Sequence, residues 1–336
     1  MFNKLYEYLK KFIKQNIIEI IIFVAMLVFT IIPLPYYVNM PGGLINTKDR
    51  VKIDNEYKVG GSYNLTYVSE IRATPIFYVL SKINKNWDLV SINDIKTDNQ
   101  TLEEAMLYNK LLLETANNNA VEVAYKKANK EIQVEKKDFI VAYLASNNTT
   151  LMVGDKITKI DNIEVTDLEQ IQSLISNYNA NDTVNIEVIR DGKIKLASAT
   201  LYKEENRTLI GINILINSKL STNPSYEYNF DKKESGPSGG LMTALTIYNK
   251  LISEDLTHNL VISGTGTIDS DGTVGSIGGV KYKIKGAVKN KADVFLVPSG
   301  ENYKEAIKLK KKYNYNIDIV SISTFDDAIN YLKSLK

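Results

Sequence analysis

Between Ile17 and Ile32 every residue except Glu19 and Thr30 is apolar, and a run of that kind has two homes, a bilayer or a buried core. Pro33 and Pro35 follow at once, and proline lacks the N–H that a continuing core helix would need. Carried on through Leu34, Tyr36, Tyr37 and Val38, the stretch reaches the ~20 residues that cross a hydrocarbon layer, so residues 17–38 are predicted to form one transmembrane helix. Lys4, Lys10, Lys11 and Lys14 precede the run and the first cation after it is Lys48, which by the positive-inside rule keeps residues 1–16 in the cytoplasm. No small-x-small cleavage site follows, so the run reads as an uncleaved anchor rather than a signal peptide. The rest of the chain is then expected on the outer face of a cell membrane, with lipid as one partner.

Composition narrows the chemistry. Lys and Arg total 41 against 39 Asp and Glu, an excess too small for binding a nucleic-acid backbone. The chain has no cysteine and one histidine, His258, which removes disulfides, thiol nucleophiles and ordinary zinc sites; no metal and no cofactor is expected. His258 lies in Glu254-Asp255-Leu256-Thr257-His258 between a predicted helix and strand, where a loop role is expected.

The pattern changes along the chain. Residues 45–118 read as globular, with a strand over 62–68, a helix over 75–83 and a second helix over 101–115 whose start Thr101 caps with Glu104 three residues on. Asn117-Asn118-Asn119 is predicted to break that helix. Residues 119–207 hold short strands (139–144, 156–160, 183–190, 193–201) around one helix (167–176), with Asp191-Gly192 as a hairpin turn. Residues 208–336 alternate strands and helices in the manner of an α/β layer.

Chemistry gathers in that last segment. Gly236-Pro237-Ser238-Gly239-Gly240 forms a tight turn into the apolar helical stripe Leu241, Met242, Leu245, Tyr248, Leu251 and Ile252. A helix start offers unpaired N–H groups and partial positive charge, which favour the oxyanion made when the Ser238 hydroxyl attacks a carbonyl. Such a serine needs a base. Lys281 directly follows Ile277-Gly278-Gly279-Val280, whose small and apolar side chains allow a desolvated amine, whereas Lys283, Lys285 and Lys289 read as surface charges.

Gly-Pro-Ser-Gly-Gly-Leu, the stretch Ser263-Gly264-Thr265-Gly266-Thr267-Ile268 and Ile-Gly-Gly-Val-Lys resemble, in order and spacing, the proteolytic domain of the Lon protease family. The resemblance implies that Ser238 is the nucleophile, Lys281 the general base and Thr265 a threonine that holds the lysine, with Gly236, Pro237 and Gly239 shaping the turn. Gly239 stands where alanine is common, and Ser235 and Thr267 where ATP-dependent members carry aspartate and glutamate. The segment Val153-Gly154-Asp155-Lys156-Ile157 through Val165 resembles a PDZ domain of bacterial proteases. Phe139 and Ile140 then take the place of its peptide groove, and both a peptide-binding module and a plain spacer remain open.

With Leu34-Pro35-Tyr36-Tyr37-Val38 and Pro41-Gly42, the layout is similar to membrane-anchored PDZ–Lon proteases of Gram-positive bacteria. The implied fold class is an α/β (α+β) Lon-type proteolytic domain with a PDZ-like β-rich domain and one N-terminal transmembrane helix. Residues 45–118 are expected to pack on the protease domain, because the segment after 208 is too short for a complete one. No Gly-x-x-x-x-Gly-Lys-Ser/Thr occurs, so the expected activity is an ATP-independent serine endopeptidase that trims peptides or exposed protein segments outside the cell, such as a signalling peptide or envelope protein. Lon-like domains commonly form rings, which leaves room for a homo-oligomer. Two rival readings are a peptide-binding envelope scaffold with an inactive protease fold and a Ser/Lys hydrolase of non-peptide amides or esters.

Overall fold

The computed structural model describes residues 2–97, 100–231 and 233–335, and the chain divides into two compact units, Met1–Pro41 with Ser69–Ile95 and Gly42–Val68 with Lys96–Lys336. In the first unit, the helix Phe2–Gln15 meets the helix Ile17–Ile31 at a 79° bend. Among the described residues no single helix is long and apolar enough to cross a membrane; the bent pair passes that test only when taken together. This corrects the helix expected over 17–38. Fifteen residues at the helical rise span ~22 Å against a hydrocarbon core of ~30 Å. Pro33 disfavours a helical Ile32, which turns extended at φ −64° and ψ 120°. Tyr36, Tyr37 and Val38 instead begin the strand Tyr36–Asn46, antiparallel to Asp88–Ser91.

The second unit holds a run of parallel strands in the order Asp318–Ile322, Val294–Pro298, Val261–Gly264 and residues 62–65 of Ser62–Arg72. Parallel strands covered on both faces become continuous apolar runs, and all five residues of Val294–Pro298 are buried. One core joins distant parts of the chain: Val51 and Tyr63 pack with Ala124, Leu241, Leu245, Ile262 and Phe325. Thr324 caps the last helix, Phe325–Ser334, in a reciprocal pair with Asp327.

The helix predicted to stop near 115 continues, running over Leu102–Lys127 from its Thr101–Glu104 capping box. Asparagine is a poor helix former, but here the side chains of Asn118 and Asn119 have tertiary partners. Asn117 is buried, Asn118 Nδ2 donates to the Ser218 carbonyl at 3.0 Å, and Asn119 Nδ2 donates to the Ile268 carbonyl at 3.0 Å. The helix packs against Gly240–Leu251, so a boundary at 118 would cut through it.

A second sheet is ordered Ile212–Asn223, Glu131–Leu144, Lys156–Ile160, Thr183–Arg190, Lys193–Thr200. Its core of Phe139, Ile157, Ile160, Ile175, Ile186 and Val188 is separate from the first. Asp155, almost wholly buried, takes a two-point ion pair from Arg190 and the N–H of Met152, which accounts structurally for its place in the Val-Gly-Asp motif. The sheet's outermost strand begins at Ile212, beyond the expected limit at 207: a strand far along the chain closes a sheet whose other members come before it.

Candidate active site

The turn before Gly240–Leu251 is built as the sequence requires. Gly236 sits at φ +83°, a conformation that suits glycine, and its N–H donates to the Asn109 carbonyl at 2.8 Å. Pro237 passes its carbonyl to the Gly240 N–H at 3.1 Å. Gly240 has no room for a side chain, since a Cβ there would lie 2.8 Å from Ile268 Cγ2 and 3.1 Å from Ile268 N. Ser238 is half-buried just ahead of the helix, and Gly239 is its N-cap. The Ser238 carbonyl accepts from Gly266 N at 2.8 Å and from Thr265 Oγ1 at 3.1 Å.

Thr265 is fully buried, and its Oγ1 in turn accepts a hydrogen bond from Lys283 Nζ at 2.9 Å. Lys283 is 3% exposed, and burial pushes its amine down to about 8. Lys281, named from the sequence as the base, is exposed, with its Nζ 4.8 Å from the Tyr282 ring centroid. The structure therefore moves the buried amine from Lys281 to Lys283. The cause is helical geometry: Val280–Lys289 starts at Gly279 (φ +74°), and two residues along a helix turn a side chain ~200°, to the opposite face. The signal was in the sequence. Val280, Ile284 and Ala287 form the buried stripe, and Lys283 belongs to it by three- and four-residue spacing, while Lys281 and Lys289 lie on the exposed side.

Another buried lysine shows what a structural role looks like. Lys250 Nζ donates to the carbonyls of Lys48 and Val51 at 2.7 and 2.6 Å and to Glu56 at 2.9 Å, a full set of acceptors that includes a carboxylate. Lys283 meets the neutral Thr265 hydroxyl instead. Arg50, which sequence reasoning passed over, is buried and forms a two-point ion pair with Glu234, four residues before the serine; its guanidinium also lies 5.1 Å from the Phe230 ring centroid. Ser263 and the histidine have other partners: Ser263 Oγ donates to the Val294 carbonyl, and His258 Nε2 is 3.1 Å from the Leu332 carbonyl.

Phe139 and Ile140 do not line a groove. Each is 2% exposed, and their strand is paired on both sides, Phe139 with Ile216 and Ile157, Ile140 with Leu215 and Lys156. An added peptide strand has no edge to use there. The strand Ile212–Asn223 ends the sheet, with half-buried Ile212, Ile214 and Ile216 leaning on the same core as Leu168 and Leu174 of the helix Leu168–Ser176. The strand is preceded by Gly211 at φ +80°.

Comparison with known proteins agrees with these two sheets. Residues 123–201 match the PDZ domain family, and residues 232–334 match the Lon protease (S16) C-terminal proteolytic domain. The chain is 27% identical over 145 residues to a Lon protease of Campylobacter jejuni, covering 41% of this chain and 18% of that protein. It is 29% identical over 123 residues to Lon protease 2 of Borreliella burgdorferi, covering 32% and 15%. The chain thus spans less than a fifth of the length of these curated relatives. Among solved structures, the PDZ domain of an SdrC-like protein from Listeria monocytogenes is similar over 25% of this chain and 93% of its own, at 23% identity and a TM-score of 0.23. The chain combines a PDZ domain with a Lon-type proteolytic domain, and the latter supports a serine peptidase.

Proposed function

We propose that this chain is an ATP-independent serine endopeptidase in which Ser238 is the nucleophile and Lys283, not Lys281, is the general base. One observation carries the reading: the Thr265 hydroxyl joins the Lys283 amine to the backbone of Ser238, and among the described residues that buried amine has no carboxylate partner of the kind Glu56 gives Lys250. A neutral Lys283 accepts the hydroxyl proton as Ser238 Oγ bonds to the peptide carbonyl carbon. The resulting ammonium then returns a proton to the leaving amine, and water cleaves the acyl-enzyme. The N–H groups of Gly240 and Leu241 already donate to Pro237 and Gly266, so the N–H groups of Ser238 and Gly239 are the donors suited to the oxyanion.

The apolar helix Ile17–Ile31, whose residues are all unburied, supports a membrane anchor, and the lysines of Phe2–Gln15 support a cytoplasmic N-terminus with the proteolytic domain outside. The outer edge of Ile212–Ile216 fits an extended peptide added as a further strand, next to the helix Leu168–Ser176. Exposed protein segments or peptides outside the cell are then the substrate class. The inactive-scaffold reading leaves an unneutralised buried amine beside a serine turn unexplained. Cleavage of casein by the full chain in detergent, without ATP, tests the proposal: activity lost in Ser238→Ala and Lys283→Ala but kept in Lys281→Ala is expected. Activity kept in Lys283→Ala would overturn the base.

A further inference from the structure

The first unit carries an apolar surface that neither proteolysis nor peptide docking uses. In the helix Pro75–Ile83, Val79, Leu80 and Ile83 are 47%, 39% and 72% exposed, and their spacing of three and four places them with Ile76 on one face. The opposite face carries Ser81, which is buried, and Tyr78, whose ring lies 5.7 Å from that of Tyr36. The helix packs beside Ile17–Ile31, and the chain leaving that apolar helix is tied down at once: Leu34 N donates to Ala73 O at 2.7 Å, and Ala73 N to Tyr36 O at 2.9 Å.

Around this junction the side chains are of the kind that collect where hydrocarbon meets water. Arg72 lies 5.5 Å from the Tyr37 ring centroid, Lys82 lies 5.4 Å from that of Tyr78, and Phe77 lies 6.1 Å from Trp87, the single tryptophan of the chain. Aromatic rings with amphipathic edges and long cationic side chains settle at headgroup depth. An exposed Ile-Val-Leu face next to them and to a wholly unburied apolar helix continues the same boundary.

We infer that the helix Pro75–Ile83 is an interfacial helix: it lies in the outer surface of the lipid bilayer, with Val79, Leu80 and Ile83 among the upper acyl chains and the Tyr36, Tyr37, Tyr78 and Trp87 rings at headgroup level. This rests on the anchor reading and adds to it a second, reversible contact. A helix of this kind sinks its apolar face ~5–10 Å into the boundary. The contact restrains the chain just after the anchor, where a lone bent helix would leave it free to swivel.

Trp87 serves as a native probe. The full chain is reconstituted into phosphatidylcholine vesicles whose acyl chains are brominated either near the headgroup or near the terminal methyl, and its flotation and tryptophan emission are read on the same sample. Expected are co-flotation, emission quenched about twofold or more by the shallow bromines and much less by the deep ones, and relief of that quenching in Val79→Asp/Ile83→Asp, which still floats. A chain that floats but whose Trp87 emission is unmoved by shallow bromines overturns the interfacial helix and leaves the anchor standing. A chain that does not float overturns both. Casein cleavage by the double variant shows that it is folded, and unchanged quenching in that folded variant likewise overturns the seating of this face.

Discussion

Whether a lysine can serve as a base depends on how poorly its ammonium is solvated, and here a rotation of two helical positions separates an exposed amine from a buried one. With Lys283 at about 8, the neutral form grows as pH rises. The kcat/KM of the full chain should climb about tenfold per pH unit on the acid side and level off above pH ~8. Lys281→Ala should keep that profile, and a profile flat from about pH 6 to about pH 10 would remove Lys283 as the base. The same burial affects stability. Because the folded state disfavours the charged form relative to an ordinary lysine at 10.5, the cost is absent at high pH, appears as pH falls from 10.5 to about 8, and is complete below that. The gap is on the order of 3 kcal/mol. Lys283→Met should therefore unfold at higher denaturant than the parent at pH 7 while cleaving nothing, and a lower midpoint would contradict the unneutralised amine.

At the scale of elements, local signals were readable wherever a side chain's partner was near in sequence. Thr101 with Glu104, Thr324 with Asp327 and the Asp191-Gly192 turn all depend on neighbours a few residues away. Asn118 and Asn119 misled because their partners, at Ser218 and Ile268, lie far along the chain, so propensity said break where tertiary hydrogen bonds said helix. The free edge at Ile212–Asn223 could not be read locally, because a sheet edge is a relation between strands and leaves no local mark. The ion-pair partner of the Arg50 side chain, Glu234, is likewise distant in sequence, and the pair holds the loop that leads to Ser238. Arg50→Ala leaves Glu234 without its counterion and is expected to cost about 2–3 kcal/mol and to lower the rate at which a fluorophosphonate labels Ser238. Arg50→Lys should recover part of that rate; equal labelling in all three proteins would assign Arg50 no part in placing the serine.

At the scale of the whole molecule, the segment matched to the Lon-type domain packs with residues outside it. Residues 62–65 extend its parallel sheet beside Val261–Gly264, and Leu102–Lys127 covers the helix that follows Ser238. Residues 232–334 expressed alone should lack cooperative unfolding, whereas the full chain should show it; a sharp thermal transition in the fragment would contradict this dependence. By itself the sequence determined the apolar N-terminal run, the serine turn and the caps, because periodicity, glycine conformation and capping act over a few residues, and it carried the motifs whose resemblance to known families implied the two domain types. Only the tertiary structure decided where the apolar helix ends, which lysine is buried, which strand forms the free edge of the PDZ sheet and which distant residues complete the protease core. Each of these depends on what lies against a side chain from elsewhere in the chain.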